Sequence, residues 1–252
     1  MKKIFFFFLL GICSIASAQS LIGGDNIIKT NLSSDLLQNY NITYERNLNH
    51  FMSASISYRN MTKTKLPLKS LVKKFINNDN IDFDNFEIGN NALTAELRFY
   101  LGLSKMSGFY IAPYARSASF DVTIPINYTY TPAQTIPGII PNKIPMKSNL
   151  DGTIRSTSYG AYIGVQFQVL TKLVVDFWLI GGHYGSSNGK LIYNAPEGTP
   201  KLAIDALKVA VDQTNANPFQ FKTVATTNGI ITDTQGPWAG IRGLGLTLGV
   251  RF

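Results

Sequence analysis

The sequence predicts an all-β fold: an eight-stranded antiparallel up-and-down transmembrane β-barrel with short periplasmic turns and three long outer loops, one carrying a short helix. Three observations predict it. Apolar and polar residues alternate strictly along several segments, the period of a strand with one apolar and one polar face. Short and long connections alternate along the chain, as in an outer-membrane barrel. Charged residues make up only 15% of the 252 residues, against ~25% in a typical soluble domain. A hydrophobic content of 45% excludes a disordered chain. Beyond residue 18 no apolar run approaches the ~20 residues of a membrane helix.

The chain begins with an address. Met1-Lys2-Lys3 is basic, Ile4 to Ile12 is apolar with phenylalanine at 5 to 8, and Ala16-Ser17-Ala18 is a small-x-small cleavage pattern. This reads as a secretory signal peptide over 1–18, cleaved after Ala18, followed by an outer-membrane β-barrel domain over 19–252. Cys13, the only cysteine, lies inside it, and the large Ile12 before it argues against a lipid anchor. The exported chain therefore folds without disulfides. Loss of Lys2 and Lys3 lowers the net charge from +8 to +6. This scattered excess suits anionic lipid headgroups and is no nucleic-acid signature.

The strands follow in order. The first spans about Ile27 to Leu32. In the second, Tyr40, Ile42 and Tyr44 alternate with Asn41, Thr43 and Glu45; in the third, Met52, Ala54, Ile56 and Tyr58 alternate with Ser53, Ser55, Ser57 and Arg59. The fourth sets Leu93, Ala95, Leu97, Phe99, Leu101 and Leu103 against Thr94, Glu96, Arg98, Tyr100 and Gly102. The fifth runs from about Gly108 to Phe120. The sixth sets Tyr159 to Val169 against Gly160, Tyr162, Gly164, Gln166 and Gln168, and the seventh covers Leu173 to Leu179. The last alternates Leu244, Leu246, Leu248, Val250 and Phe252 with Gly245, Thr247, Gly249 and Arg251. Tight connections at 47–50, 104–107 and 171–172 contrast with long ones at about 62–91, 121–152 and 186–237. An even strand number puts both termini on the side of the short turns.

A lipocalin-like barrel or a sandwich is the soluble alternative, since alternation alone does not say which face is inside. The polar faces, however, are rich in Gly, Ser and Thr with isolated charges, and aromatic residues recur near strand ends like an interfacial girdle.

The signal segment, Tyr44-Glu45-Arg46, the run Ala95-Glu96-Leu97-Arg98-Phe99-Tyr100-Leu101, the run Gly108-Phe109-Tyr110-Ile111-Ala112-Pro113-Tyr114 and the ending Leu246 to Phe252 together resemble a small outer-membrane β-barrel of the OmpA/OmpX-like type. The sequence is most similar to an uncharacterised family of such eight-stranded barrels with long outer loops. The resemblance covers the strands, about half the exported chain. It implies a fold and a location, not an activity. The ending Leu246, Leu248, Val250 and Phe252 resembles the signal read by the barrel-assembly machinery.

Eight strands leave an interior that side chains fill. By parity the inward set includes Lys29, Glu45, Arg59, Glu96, Arg98, Tyr100, Tyr110, Tyr114, Arg116, Gln166, Gln168, Asp176 and Arg251. An enclosed charge must be paired, so a polar network is expected of Glu45, Glu96 and Asp176 with Arg98, Arg116 and Arg251. This network reads as a polar plug that fixes strand register. The alternative is a narrow channel for ions or small solutes, with space left by inward Gly160, Gly164, Gly243, Gly245 and Gly249. A glycosidase-like pair among the carboxylates has no room for a sugar.

His50 reads as a solvated turn residue. His183 falls on the lipid side by parity if no bulge intervenes at Gly181-Gly182. With Ser187 and Glu197 it would compose a weak lipid-hydrolysing set, similar to outer-membrane lipid A deacylases. In that family the serine follows the histidine by two residues, and residue 185 here is glycine.

The loop from residue 62 opens with Lys63, Lys65, Lys69, Lys73 and Lys74 and turns acidic through Asp79, Asp82, Asp84 and Glu87. Its basic half suits lipopolysaccharide phosphates, and its acidic half lacks the glycine and distal Glu of a calcium loop. The next loop is spaced by Pro125, Pro132, Pro137, Pro141 and Pro145 and reads as extended chain. Between Pro200 and Pro218 a short helix over 201–215 gathers Leu202, Ala206, Leu207, Ala210 and Val211 on one face. The expected role is that of a non-enzymatic structural or interaction barrel, which presents its outer loops as a monomer. Its expected partners are outer-membrane lipid and lipopolysaccharide, without cofactor, metal or nucleic acid.

Overall fold

The computed structural model describes residues 24–67, 69–75, 80–102, 104–133, 141–214 and 218–252. The expected signal peptide with Cys13 and the positions of Leu103, Asp79 and Pro137 lie outside the described residues.

Runs of β-branched and aromatic residues separated by short polar or glycine-bearing links favour strands joined by hairpins. Strand accordingly makes up 68% of the structure and helix 10%, which places the chain in the all-β class. In chain order the elements are β1 (Asn26–Asn31), α1 (Leu32–Asp35), β2 (Asn39–Asn49), β3 (Met52–Lys65), α2 (Lys69–Phe75), β4 (Glu87–Tyr100), β5 (Gly108–Tyr130), β6 (Ile144–Gln168) and β7 (Leu173–Asn194). They continue as α3 (Lys201–Asp212), β8 (Gln220–Thr226), β9 (Gly229–Pro237), β10 (Gly240–Arg242) and β11 (Gly245–Arg251).

The strands β1 to β7 pair with their sequence neighbours, and β11 pairs with both β7 and β1, so an antiparallel sheet closes into a ring of eight. At the seam Asn26 and Phe252 exchange two backbone hydrogen bonds of 3.0 and 2.9 Å. Closure leaves no unpaired edge in the ring.

Several expectations are corrected. The ring has the expected eight strands, but among the described residues three more, β8, β9 and β10, form where loop was expected or no element was assigned. β5 and β6 remain paired from Gly108↔Gln166 out to Tyr130↔Ile144, so Pro125 and Pro145 lie in a hairpin that extends the ring strands. β7 runs to Asn194 and carries the β8–β9 hairpin on its far half. Leu32 opens α1 instead of closing β1; the Asn31 side chain accepts from the Ser34 backbone N–H at 2.9 Å and stops the strand. A second connecting helix, α2, stands in the lysine-rich segment. Helix α3 is present over Lys201–Asp212, with Ala203, Ile204, Leu207, Ala210 and Val211 buried. Leu202 is exposed instead, because the face is set by packing on β5 and β8 as well as by the helical period.

Two cores of different chemistry result. Within the ring, the inner face is polar and aromatic. Beyond it, Val122, Ile126, Tyr128, Leu150 and Leu191 of the extended strands and Ile230 of β9 pack with Ile204, Leu207 and Val211 of α3. The outer face of each long strand changes in step. On β6, Tyr159, Ile163 and Phe167 are exposed apolar residues, whereas Lys147, Asn149, Asp151, Arg155 and Thr157 face out farther along.

Candidate functional site

Strand alternation sends every second side chain of the ring inward, and the closed sheet seals those side chains from solvent. Glu45, Glu96, Arg98, Lys29, Gln166 and Asp176 are all buried there. Their bonding is extensive. Arg98 Nη1 lies 2.7 Å from Asp176 Oδ2 and 3.4 Å from Glu45 Oε2, and Nη2 lies 3.0 Å from Glu96 Oε2. Lys29 Nζ donates to Glu45, to Gln166 Oε1 at 2.8 Å and to Asp176 Oδ2 at 3.0 Å.

Three tyrosines complete the shell. Tyr100 donates to Glu45 at 2.6 Å, Tyr110 to Asp176 at 2.6 Å and Tyr162 to Glu96 at 2.7 Å. Ser53 and Ser55 donate to Glu45 and Glu96. The Arg98 guanidinium carbon stands 4.7 Å from the centre of the Tyr110 ring. Each interior carboxylate thus meets both cations and hydroxyl donors, as a buried ion must to offset desolvation.

The structure brings Glu45, Glu96, Arg98 and Asp176 of the expected network together. It places Arg116 and Arg251 elsewhere. Arg251 sits at the turn end, where Nε donates to Gly24 O and Nη1 to Gln168 Oε1 at 2.7 Å. Its strand ends there, so its long side chain meets the Gly24 carbonyl and the Gln168 amide and not the buried acids. Arg116 has no hydrogen-bond partner at Nε.

Two cations that the parity argument did not put in the network replace them. Lys29 was legible as an inward residue, but its pairing with Glu45 and Asp176 depends on the β1–β11–β7 seam. Arg242 was not legible: it lies between the loop expected to end at residue 237 and the alternation that begins at Leu244. It enters from β10, 3.3 Å from Glu96 Oε1, with its guanidinium carbon 3.8 Å from the Trp178 ring and 4.3 Å from the Tyr162 ring.

Three of the inward glycines face aromatic rings, whereas Gly243 has no atom within 4 Å of where a Cβ would be. A Cβ at Gly164 would lie 2.4 Å from Tyr110 Oη, one at Gly160 2.9 Å from Tyr114 Cζ, and one at Gly245 2.9 Å from Trp178 Cε3. Large rings from neighbouring strands occupy the space over these positions.

His183 is also corrected. The β6–β7 register shifts between Ile163↔Ile180 and Gly164↔Trp178, leaving Leu179 as an extra residue. This bulge reverses the parity. Asp176 and Trp178 face inward before it, and Gly181, His183 and Ser187 after it. His183 therefore lies on the inner side of β7. Ser187 Oγ donates to Gly236 O at 3.2 Å, and Glu197 lines a separate cavity beside Ile204. Among the described residues no hydrogen bond joins these three side chains. His50 stands in the β2–β3 turn. Leu246, Leu248 and Val250 lie on the outward face of β11, with Phe252 just beyond.

The lysine-rich segment forms one ion pair within itself, Lys69 with Asp84, and one to β6, Asp82 with Lys147. The Lys147 hydrogen bond, with help from Asn85, holds the Asp82 carboxyl down at about 2. No group of three or more His, Cys, Asp or Glu suited to a metal occurs among the described residues.

The fold and interior define a closed antiparallel ring with an ionic core. The chain belongs to the DUF3575 family, described as proteins of unknown function, whose model matches residues 4–195. That match runs from before β1 through β7 and stops short of α3, Arg242 and the closing strand β11. No curated protein matches the chain.

Proposed function

We propose that the chain is an outer-membrane β-barrel protein with a closed interior, whose role is structural or interactive and not enzymatic. The observation that carries this reading is the inverted polarity of the ring. Charged Lys29, Glu45, Glu96, Arg98 and Asp176 are buried, whereas Ile42, Ile56, Leu97, Phe99, Ile111, Ile163, Phe177 and Val250 are exposed. A water-soluble barrel has the opposite arrangement.

The dimensions suit a bilayer. Tyr159 to Phe167 covers nine residues of β6 with an outward apolar face, eight steps of ~3.3 Å, or about 26 Å along the strand and about 20 Å of height at a ~40° tilt. The apolar band of an outer-membrane barrel is ~25 Å tall. Tyr58 opposite Leu93, and Tyr159 opposite Tyr184, form a row at the end where the outward residues turn polar. Tyrosine is suited to that interface by an apolar body and a polar tip.

In this reading the far halves of β5 to β7, the β8–β9 hairpin and α3 form a folded lobe outside the membrane, with a core of its own. Lipopolysaccharide is its neighbouring surface, and β11 with Phe252 is the segment the assembly machinery would engage. Export through a peptide cleaved after Ala18 belongs to the same proposal.

Single cysteines at Ile163 and Asn188 test it, in whole cells treated with a membrane-impermeant maleimide. Labelling at 188 and protection at 163 are expected. Equal labelling at both positions overturns the membrane reading.

A further inference from the structure

Above the ion-pair cluster, at the end of the ring covered by α1 and β10, lies a cavity of about 290 Å³. This is close to the ~300 Å³ at which ligand pockets begin. Its wall carries Arg59 of β3, Arg116 of β5, His183 of β7 and Arg242 of β10, with Asn39 and Trp178 between them. These side chains come from five strands and all but Trp178 are partly exposed, so the cavity is open to small solutes.

Its walls are unusual in two respects. Five of its lining residues each carry a buried polar atom without a hydrogen-bond partner: Asn39 Oδ1, Arg59 Nε, Arg116 Nε, Trp178 Nε1 and His183 Nδ1. Buried polar groups are nearly always paired, so such a concentration calls for a cause. Arg59 Nε, Arg116 Nε and Trp178 Nε1 are obligate donors. What they lack is an acceptor.

The charges tell the same story. Lys29 and Arg98 are matched by Glu45 and Asp176, and Glu96 is shared by Arg98 and Arg242. Asp35, the other carboxylate acting on Arg59, accepts from Thr30 Oγ1 at 2.7 Å and from the Asn41 backbone N–H at 3.2 Å. Arg59 and Arg116 make no ion pair among the described residues, and they repel each other and Arg242. Like charges gathered around one partly enclosed space, with unused donors, are stabilised by an anion with several acceptor oxygens.

We propose that this cavity binds a phosphate group, held between the guanidinium groups of Arg59 and Arg116. Arg242, anchored by Glu96 and the Trp178 ring, forms the third side. The site stands on the cavity itself, whether or not the ring spans a membrane. Phosphate could arrive as the free ion or on a larger headgroup.

The test is calorimetric titration of the folded chain in a nonionic, phosphate-free detergent. Inorganic phosphate is one titrant and glucose 1-phosphate the other, with sodium chloride at matched ionic strength as the control. Saturable one-to-one binding of inorganic phosphate at millimolar levels or below is expected. Arg59→Gln with Arg116→Gln should weaken it at least tenfold, while Arg251→Gln, which removes a charge at the opposite end, leaves it unchanged. Binding of both titrants places the site within reach of a carried phosphate; binding of the free ion alone restricts it to that source. Absence of saturable binding by the wild-type chain overturns the proposal. So does equal weakening by Arg251→Gln. Should the double variant fail to fold, Arg59→Lys and Arg116→Lys keep the charge and remove the Nε donor, and unchanged affinity in both overturns it.

Discussion

Lys29 on β1 and Asp176 on β7 meet at 3.0 Å across β11, the strand that closes the ring. The two residues are 147 positions apart, and only ring closure brings them together. Asp176→Asn should therefore weaken the seam. Removing one partner of a buried ion pair costs about 3–5 kcal/mol. The expected result is a lower urea midpoint and earlier loss of heat-resistant gel mobility, with Arg251→Gln at the rim causing little change.

Gly164 tests the packing of the interior. The Tyr110 hydroxyl and the Phe177 carbonyl stand 2.4 and 2.7 Å from where a Cβ would be. Gly164→Ala should displace Tyr110 from its hydrogen bond to Asp176. Overpacking of this kind costs about 1–3 kcal/mol, which a shift in the urea midpoint would register. A Gly198→Ser change, at a positive φ of 82° but with open space around it, should leave Tyr110 undisturbed and act only on the α3 connection.

With Tyr110, Tyr114 and Trp178 over Gly164, Gly160 and Gly245, and Tyr162 packed against them, the proposed barrel should not conduct. Planar-bilayer recordings of the folded chain are expected to show no discrete steps. Repeatable unit steps, abolished by a change at Arg98, would return the channel reading to first place.

Outward positions of the ring should respond to charge according to their height. Leu97→Arg lies on the exposed apolar face and is expected to cost about 2–4 kcal/mol in a bilayer if near its midplane. Ser117→Arg, beyond the apolar band, should be nearly neutral. Folding yield into lipid vesicles distinguishes them; equal yields would argue against the membrane reading.

Asp82 gives a pH prediction for the lobe. Its carboxyl is held at about 2, below its ordinary value of 3.8, first by the Lys147 hydrogen bond. A depressed carboxylate contributes stability above its unfolded value and loses it as pH falls through the folded one. The link between the 80–86 segment and β6 should thus persist at pH 5 and loosen between about 4 and 2. Lys147→Gln should shift the Asp82 titration, followed by NMR, upward toward the ordinary value.

The alternation of Leu93 to Leu101, of Tyr159 to Phe167 and of Leu246 to Val250 was enough to expect ring strands with Glu96, Arg98 and Gln166 on the polar face. The helix at 201–212 was legible from its flanking prolines and apolar spacing. Two kinds of feature were not. The far halves of β5 and β6 lose strict alternation because buried residues fall side by side at Val122-Thr123 and Pro125-Ile126 and because Pro125 and Pro145 stand within the strands, so they read as loop. The Leu179 bulge carries no signal in composition, yet it turns His183 from the outer face to the inner one.

The local period of polarity determined the strand faces, because it depends only on neighbouring residues along the chain. Which face lies inside, which cation meets which carboxylate, and the entry of Arg242 beside Trp178 were decided by ring closure. These contacts join residues far apart in sequence, and they depend on a register that a single extra residue reverses.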